Sequence, residues 1–261
     1  MKGISVVINT LNEERHLAGC LRGLKFAQEI IVVDMHSDDR TRVIAEAAGC
    51  RFFLHERKGY VEPARNFAIS QARYDWVLVL DADERVSEGL ARWMSASLDT
   101  ALVSAFHIPR RNYYGDTWMK CCGWFPDSQL RLFRRDRASY SARIHRGPMI
   151  QGQTADLPLS GDAYFKHLCF DSLESRFQKD NHYSTIAAKA LFEEGRSVGG
   201  FGVLSRTIAA IARAFFIQGG WRRGSLGMVL ALERGLEAYF KYAKLWEFIS
   251  NRGTKPTDDA V

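Results

Sequence analysis

The first hundred residues alternate short apolar runs with helical patterns, and the last run closes on a charged tip. Residues 4–8, 29–33, 50–54 and 76–80 have the length and apolar character of strands. Between them lie a helical segment through Leu17, Leu21 and Leu24 and two more over residues 40–48 and 63–72. Alternation at this spacing predicts an α/β fold with a mostly parallel sheet flanked by helices. Ligands of such sheets bind at the carboxyl ends of the strands, where Asn12, Asp34 and Asp81 fall.

The fourth run, Trp76-Val77-Leu78-Val79-Leu80, leads directly into Asp81-Ala82-Asp83. Two carboxylates one residue apart at a strand end can share a divalent cation that also holds a diphosphate. Mg²⁺ and Mn²⁺ take few protein oxygens together with phosphate oxygens. The triplet suits a solvated turn equally well, and only its context separates the two.

A chain of 261 residues has length for one large domain and a modest appendage. Its five cysteines are an odd number with no Cys-x-x-Cys pair, which predicts free thiols in a reducing compartment. The N-terminus enters a strand-like run without the apolar core of a signal peptide, so residence on the cytoplasmic side is expected. The net charge of +6 is uneven: residues 105–150 carry nine Lys/Arg against three Asp/Glu, and residues 201–250 seven against three. Such patches suit anionic lipid or a phosphorylated substrate. Nucleic acid is disfavoured because no binding motif accompanies the charge.

After residue 85 the pattern changes. Residues 107–133 are rich in aromatics, Arg and Gly, as expected of loops and irregular strands shaping an acceptor cleft. A helix is expected over 173–194, and the Gly-rich stretch 195–202 is a boundary. This divides the chain into a catalytic domain, 1–198, with a donor half (1–100) and an acceptor half (101–198), and a helical segment, 199–261. In that segment residues 203–218 and 226–249 form two amphipathic helices. Arg206 and Arg213 break the first and Glu233, Arg234 and Glu237 the second, so neither is expected to supply the ~18 apolar residues of a membrane span. Two readings stay open: packing on the catalytic domain or on a second copy as a homo-oligomer, and docking on an anionic membrane surface.

Four motifs occur in order: Ser5-Val6-Val7-Ile8-Asn9-Thr10-Leu11-Asn12-Glu13-Glu14, Ile31-Val32-Val33-Asp34, Ala64-Arg65-Asn66 and Leu80-Asp81-Ala82-Asp83-Glu84. Together they resemble family-two glycosyltransferases, inverting enzymes of the GT-A fold. Gly123-Trp124-Phe125-Pro126-Asp127, Leu130-Arg131-Leu132-Phe133-Arg134-Arg135, Ile144-His145 and the tail Lys241-Tyr242-Ala243-Lys244-Leu245-Trp246-Glu247 resemble the lipopolysaccharide-core glucosyltransferase branch. Asn9 and Leu11 stand where the family often has Pro and Tyr, and Met35-His36 replace a more usual Asp-Gly. The Gln-x-x-Arg-Trp motif of processive synthases is missing, which implies transfer of a single sugar.

The resemblance implies Mg²⁺ or Mn²⁺ as cofactor and UDP-glucose as the nucleotide-sugar donor. It implies a lipopolysaccharide-core or other lipid-linked acceptor, and work at the cytoplasmic face of the bacterial inner membrane. It assigns Thr10, Asn12 and Glu13 to the nucleotide pocket, Asp34 to the uracil edge, Arg65 to the diphosphate or base pocket, and Arg131, Arg134 and Arg135 to the diphosphate or to phosphates on the acceptor. Asp83 becomes the direct metal ligand, with Asp81 near the ribose or bound through water and His145 as a third ligand. Asp127 becomes the general base, with Glu84 as its rival. Plainer readings stand beside these: Asp34 as a turn residue, Asp127 paired with Arg131, Trp118 and Trp124 as core rather than sugar platforms. His167, Lys179 and Tyr183 are weaker candidates for the cleft floor. Two other classes, a nucleotidyltransferase and a non-catalytic nucleotide-sugar-binding scaffold, fit less well. The first loop is acidic and lacks glycine, and both Asp83 and Asp127 are present.

Overall fold

The computed structural model describes residues 1–57, 62–140, 147–170 and 173–251. The elements in its first part are β1 (Ile4–Thr10), α1 (Leu17–Arg22), β2 (Glu29–Asp34), α2 (Thr41–Ala47), β3 (Arg51–Leu54), α3 (Glu62–Ser70), β4 (Trp76–Asp81), β5 (Glu84–Val86) and α4 (Glu88–Ser97). There follow β6 (Ala105–Tyr114), β7 (Thr117–Trp118), β8 (Ser128–Arg134), β9 (Ala138–Ser139), β10 (Met149–Ile150), β11 (Thr154–Asp156) and β12 (Phe165–Phe170). The chain ends in α5 (Leu173–Glu193), α6 (Gly200–Ala212) and α7 (Gly224–Ser250).

The main sheet runs β3-β2-β1-β4-β8-β6-β12-β5. Its first four strands pair in parallel, whereas β8 joins both β4 and β6 antiparallel. The stretch expected to hold loops and irregular strands supplies two interior strands, β6 and β8. Side-chain alternation explains the layers. Val6, Ile8, Leu78 and Leu80 point to one face, where α1 and α4 contribute Leu17, Leu21, Leu90 and Met94. Val7, Val33, Val77 and Val79 point to the other, against Ala64 and Ala68 of α3. Burying each such side chain stabilises the fold by roughly 1.5–3 kcal/mol. Ser87 caps α4 by accepting a hydrogen bond from the Leu90 amide at 3.1 Å. All five cysteines are free thiols.

The chain forms two compact units. Met1–Asn112 with Pro126–Leu168 is the sheet unit, and Tyr113–Phe125 with Cys169–Val261 is the helical one. In the helical unit α7 packs against both α5 and α6. A core of Met119, Cys121, Cys122, Trp124, Ala214, Leu230 and Ala231 lies beneath them. One expectation is corrected here: Gly200–Ile217 is long and apolar enough, by length and composition, to cross a membrane. Arg206 and Arg213 are only two charges among eighteen residues, too few to break the run.

Candidate active site

Register brings the motifs together at the carboxyl edge of the parallel strands, where Thr10 lies opposite Asp34 and Asn9 opposite Asp81. Asp34 is 2% exposed and accepts hydrogen bonds from Thr10 Oγ1 (2.8 Å), the Ser37 amide (2.7 Å) and Ser37 Oγ (2.6 Å). The turn reading of Asp34 is therefore part of its role. Three of roughly four carboxylate acceptor positions are used, and one is left. Asn12 is held at φ +56°. Its amide donates to Ser37 Oγ at 2.7 Å, and its side-chain oxygen accepts from the Asp38 amide at 2.8 Å. The Glu13 amide donates to Thr41 Oγ1 at 2.8 Å. The loops after β1 and β2 are thus stitched into one wall.

Asp81 is gripped by two guanidiniums, Arg131 Nη2 at 2.6 Å and Arg65 Nη2 at 3.2 Å. Burial works against its ionisation, but Arg131 and Arg65 outweigh it and hold the carboxyl well below the usual range. Arg131 is paired with Asp81 rather than with Asp127. Arg65 lies 5.3 Å from the Tyr140 ring centroid. The next residue, Asn66, clamps the Tyr140 backbone with two hydrogen bonds of 2.8 Å. Around this pair sit buried polar atoms with no hydrogen-bond partner among the described residues: Arg131 Nη1, Arg65 Nε and both amide atoms of Asn9. Orphaned buried polar groups are costly, and here four such atoms gather round one carboxylate.

Asp83 Oδ2 lies 3.4 Å from His167 Nε2, each side chain 18% exposed. His167 Nδ1 is 2.7 Å from Asn112 Oδ1, and Asn112 Nδ2 donates to Asp127 Oδ2 at 2.9 Å. Asp127 also accepts from Arg110 Nε at 2.8 Å and from Gln129 Nε2 at 2.6 Å. Burial would raise its pKa, but Arg110, Asn112 and Gln129 together draw it below the ordinary carboxylate value. Glu84 is fully buried and bonds inward, accepting from the Asp81 amide at 3.1 Å and facing Arg110 Nη1 at 3.4 Å. Burial raises its pKa despite Arg131. Glu84 is thus a support beneath the acidic turn, whereas the Asp127 side chain is 18% exposed.

His145 lies outside the described residues. Arg134 is engaged structurally, donating to the Ala101 carbonyl at 3.0 Å and covering Trp76. Trp124 belongs to the core of the helical unit, with Arg176 and Arg234 over its ring, and is no sugar platform. Lys179 and Tyr183 lie exposed on α5. Sequence reasoning missed Asn9, Arg110, Asn112 and Gln129. Only the period-two spacing of Arg110 with Asn112 hinted that one face of β6 is polar.

The model of glycosyl transferase family 2 matches residues 5–148. A lipopolysaccharide core biosynthesis glycosyltransferase, LpsC of Rhizobium meliloti, is 27% identical over 99% of this chain and 97% of the relative. An uncharacterized glycosyltransferase of Rickettsia typhi is 30% identical over 100% of this chain and 93% of the relative. Among solved structures, S. aureus TarS in complex with UDP is 16% identical, with a TM-score of 0.50 over 100% of this chain and 94% of that one. That likeness is one of fold, a mixed sheet flanked by helices as the GT-A motifs imply.

Proposed function

Because this chain belongs to glycosyl transferase family 2, we propose that it transfers a single hexose, with inversion, from a UDP-sugar to a lipopolysaccharide-core or other lipid-linked glycan. UDP-glucose is the first donor to test. The observation that carries this reading is the set of orphaned buried donors around Asp81, at the strand edge where Asp83 and Asp34 also lie. Charge-assisted bonds from Arg65 Nε, Arg131 Nη1 and Asn9 Nδ2 to a diphosphate would satisfy these donors. Asp81 keeps the two guanidiniums fork-side inward. Thr10, Asn12 and Glu13 wall the nucleoside, and the remaining acceptor position of Asp34 is assigned to the uracil N–H. The name of the Rhizobium meliloti relative supports the acceptor class, and such an acceptor places the enzyme at the cytoplasmic face of the inner membrane.

The donor set beside Asp83 fits Mg²⁺ or Mn²⁺. Asn112 gives its N–H to Asp127, so its oxygen faces His167 Nδ1 and fixes the imidazole proton there. His167 Nε2 lies 3.4 Å from an Asp83 oxygen, so the two side chains would offer a nitrogen and an oxygen donor side by side. Asp83 and His167 would hold the ion together with diphosphate oxygens. When bound, it neutralises charge gathering on the departing nucleoside diphosphate. Asp127, kept ionised by Arg110, takes the proton of the acceptor hydroxyl as that oxygen attacks the anomeric carbon. Asn112 and Gln129 hold its carboxylate in place.

A panel of UDP- and GDP-sugars with Mn²⁺ tests the donor assignment. A bound donor raises the unfolding temperature by mass action, and UDP-glucose is expected to do so with metal-dependent release of UDP. A selective response to a GDP-sugar would overturn it.

A further inference from the structure

Helices α6 and α7 run antiparallel. Thr207 and Ile211 meet Gly235, Arg206 stacks on Tyr242, and Gly220 meets Gly227. On each helix an apolar stripe stands about a quarter of a turn from this contact. On α6 it comprises Phe201, Leu204 and Ile208, and on α7 Leu232, Leu236 and Tyr239, all between 39% and 85% exposed. Because the helices are antiparallel and right-handed, the two stripes fall on the same side of the pair. At the tip of the hairpin Phe216, Ile217 and Trp221 are exposed as well. Beside them a cavity of about 540 Å³ is lined by Lys120, Arg222 and Arg223 with Cys121 and Gln218. Among the described residues none of these three cations is paired with a carboxylate. Lys120 stacks on Trp118 at 4.0 Å and Arg222 on Trp221 at 5.0 Å.

We propose that this side of the hairpin is a membrane-docking face, whose apolar stripes enter the interface of an anionic bilayer while the basic cavity receives a lipid headgroup phosphate. The arrangement has the composition of an interfacial helix, with an apolar face, aromatics and unpaired cations at one end. A second copy of the chain would cover the stripes equally well but carries the same cations to the contact, whereas an acidic headgroup complements them. Arg206 sits midway along α6, and a cation held near the bilayer centre is costly, which favours lying in the interface over crossing it. The inference rests on the membrane location proposed above and is independent of the donor site.

Sedimentation with vesicles of phosphatidylcholine alone, or containing phosphatidylglycerol, tests it on the full chain. Stabilisation by UDP is followed in the same preparations. The protein is expected to bind the acidic vesicles selectively. The triple variant Lys120→Glu, Arg222→Glu, Arg223→Glu should weaken that binding about a hundredfold, since each cation near an anionic surface contributes about a factor of five. Leu204→Ser with Ile208→Ser should weaken binding at least tenfold while leaving UDP stabilisation intact. Vesicle binding that survives both variants would keep the membrane location and overturn this face as its cause. No binding to either vesicle, with UDP stabilisation retained, would overturn the face and the location but not the donor reading. Self-association abolished by the serine pair would also overturn it, because a second copy would then occupy the stripes.

Discussion

Asn112 donates a 2.9 Å hydrogen bond to Asp127, and this bond sets the direction of the hydrogen bonds that run from Asp127 through His167 toward Asp83. With its N–H committed to Asp127, the amide oxygen accepts from His167, and His167 turns its other nitrogen toward Asp83. Two carboxylates from distant parts of the chain are thereby joined through one amide and one imidazole.

Asp127→Asn removes the proton acceptor while keeping a group that Arg110 and Gln129 can surround. Turnover is expected to fall roughly 10²–10⁴-fold, with UDP still raising the unfolding temperature as in the wild type. Steady-state kinetics beside thermal shift would check this. A variant keeping more than a tenth of wild-type kcat would remove Asp127 from the chemistry.

At the other end of the chain of contacts, His167→Ala should weaken Mn²⁺ binding in the presence of UDP, and Asp83→Asn should abolish it. Asn112→Ala releases the imidazole from its fixed tautomer and should cost about 10–100-fold in metal affinity, as losses of groups orienting a ligand do. Titration of free Mn²⁺ by electron paramagnetic resonance distinguishes the three. Equal affinity in all of them would exclude this cation site.

The parallel half of the fold was legible because each of its strands is a continuous apolar run, a local signal. Strands β6 and β8 were legible only as irregular strands among loops, since their apolar positions are interrupted by Arg110, Asn112, Gln129 and Arg131, which serve the site. The same mixing hid the partners of Asp127. Asp83 and Asp127 stand out as acids in marked contexts, whereas Asn112 and Arg110 acquire meaning only when β6 lies against β8. Arg131 could be assigned to Asp127 or to a phosphate on sequence. Its pairing with Asp81 depends on β4 and β8 being neighbours, which no local pattern encodes.

In the helical unit Asp180 is buried beside Glu233 and Glu237. Burial, only partly offset by Arg176, raises its pKa to about 6. The folded state therefore holds a proton that the unfolded chain has released. The resulting stabilisation is full below about pH 4 and is lost as pH rises through about 6. Asp81 and Asp127 have the opposite sign, since their depressed values give stability that is present above the ordinary range and lost only in acid. Between pH 5.5 and 7.5 Asp180 and the buried Glu84, whose pKa burial also raises, should both reduce stability as pH rises. The wild type should unfold at lower temperature at the higher pH, and Asp180→Asn should flatten that dependence without changing kcat. An unchanged slope in calorimetry would remove Asp180 as its source.

Gly227 is where the hairpin closes. A Cβ there would stand 1.8 Å from the Gly220 carbonyl oxygen, a backbone atom that cannot swing aside. Gly220 is itself hemmed by Cys122 Sγ and the Phe215 Cα, each 3.0 Å from its own would-be Cβ, so the strain has nowhere to relax. Gly227→Ala should therefore destabilise the protein by more than the usual ~1–3 kcal/mol of an overpacked core. Gly200→Ala, at the open start of α6, meets nothing within 4 Å and should be neutral or gain up to about 1 kcal/mol. Urea unfolding of the pair gives the comparison. Similar midpoints for both would mean that the turn holding Gly220 does not press on the first turns of α7 as closely as the Gly227 contact requires.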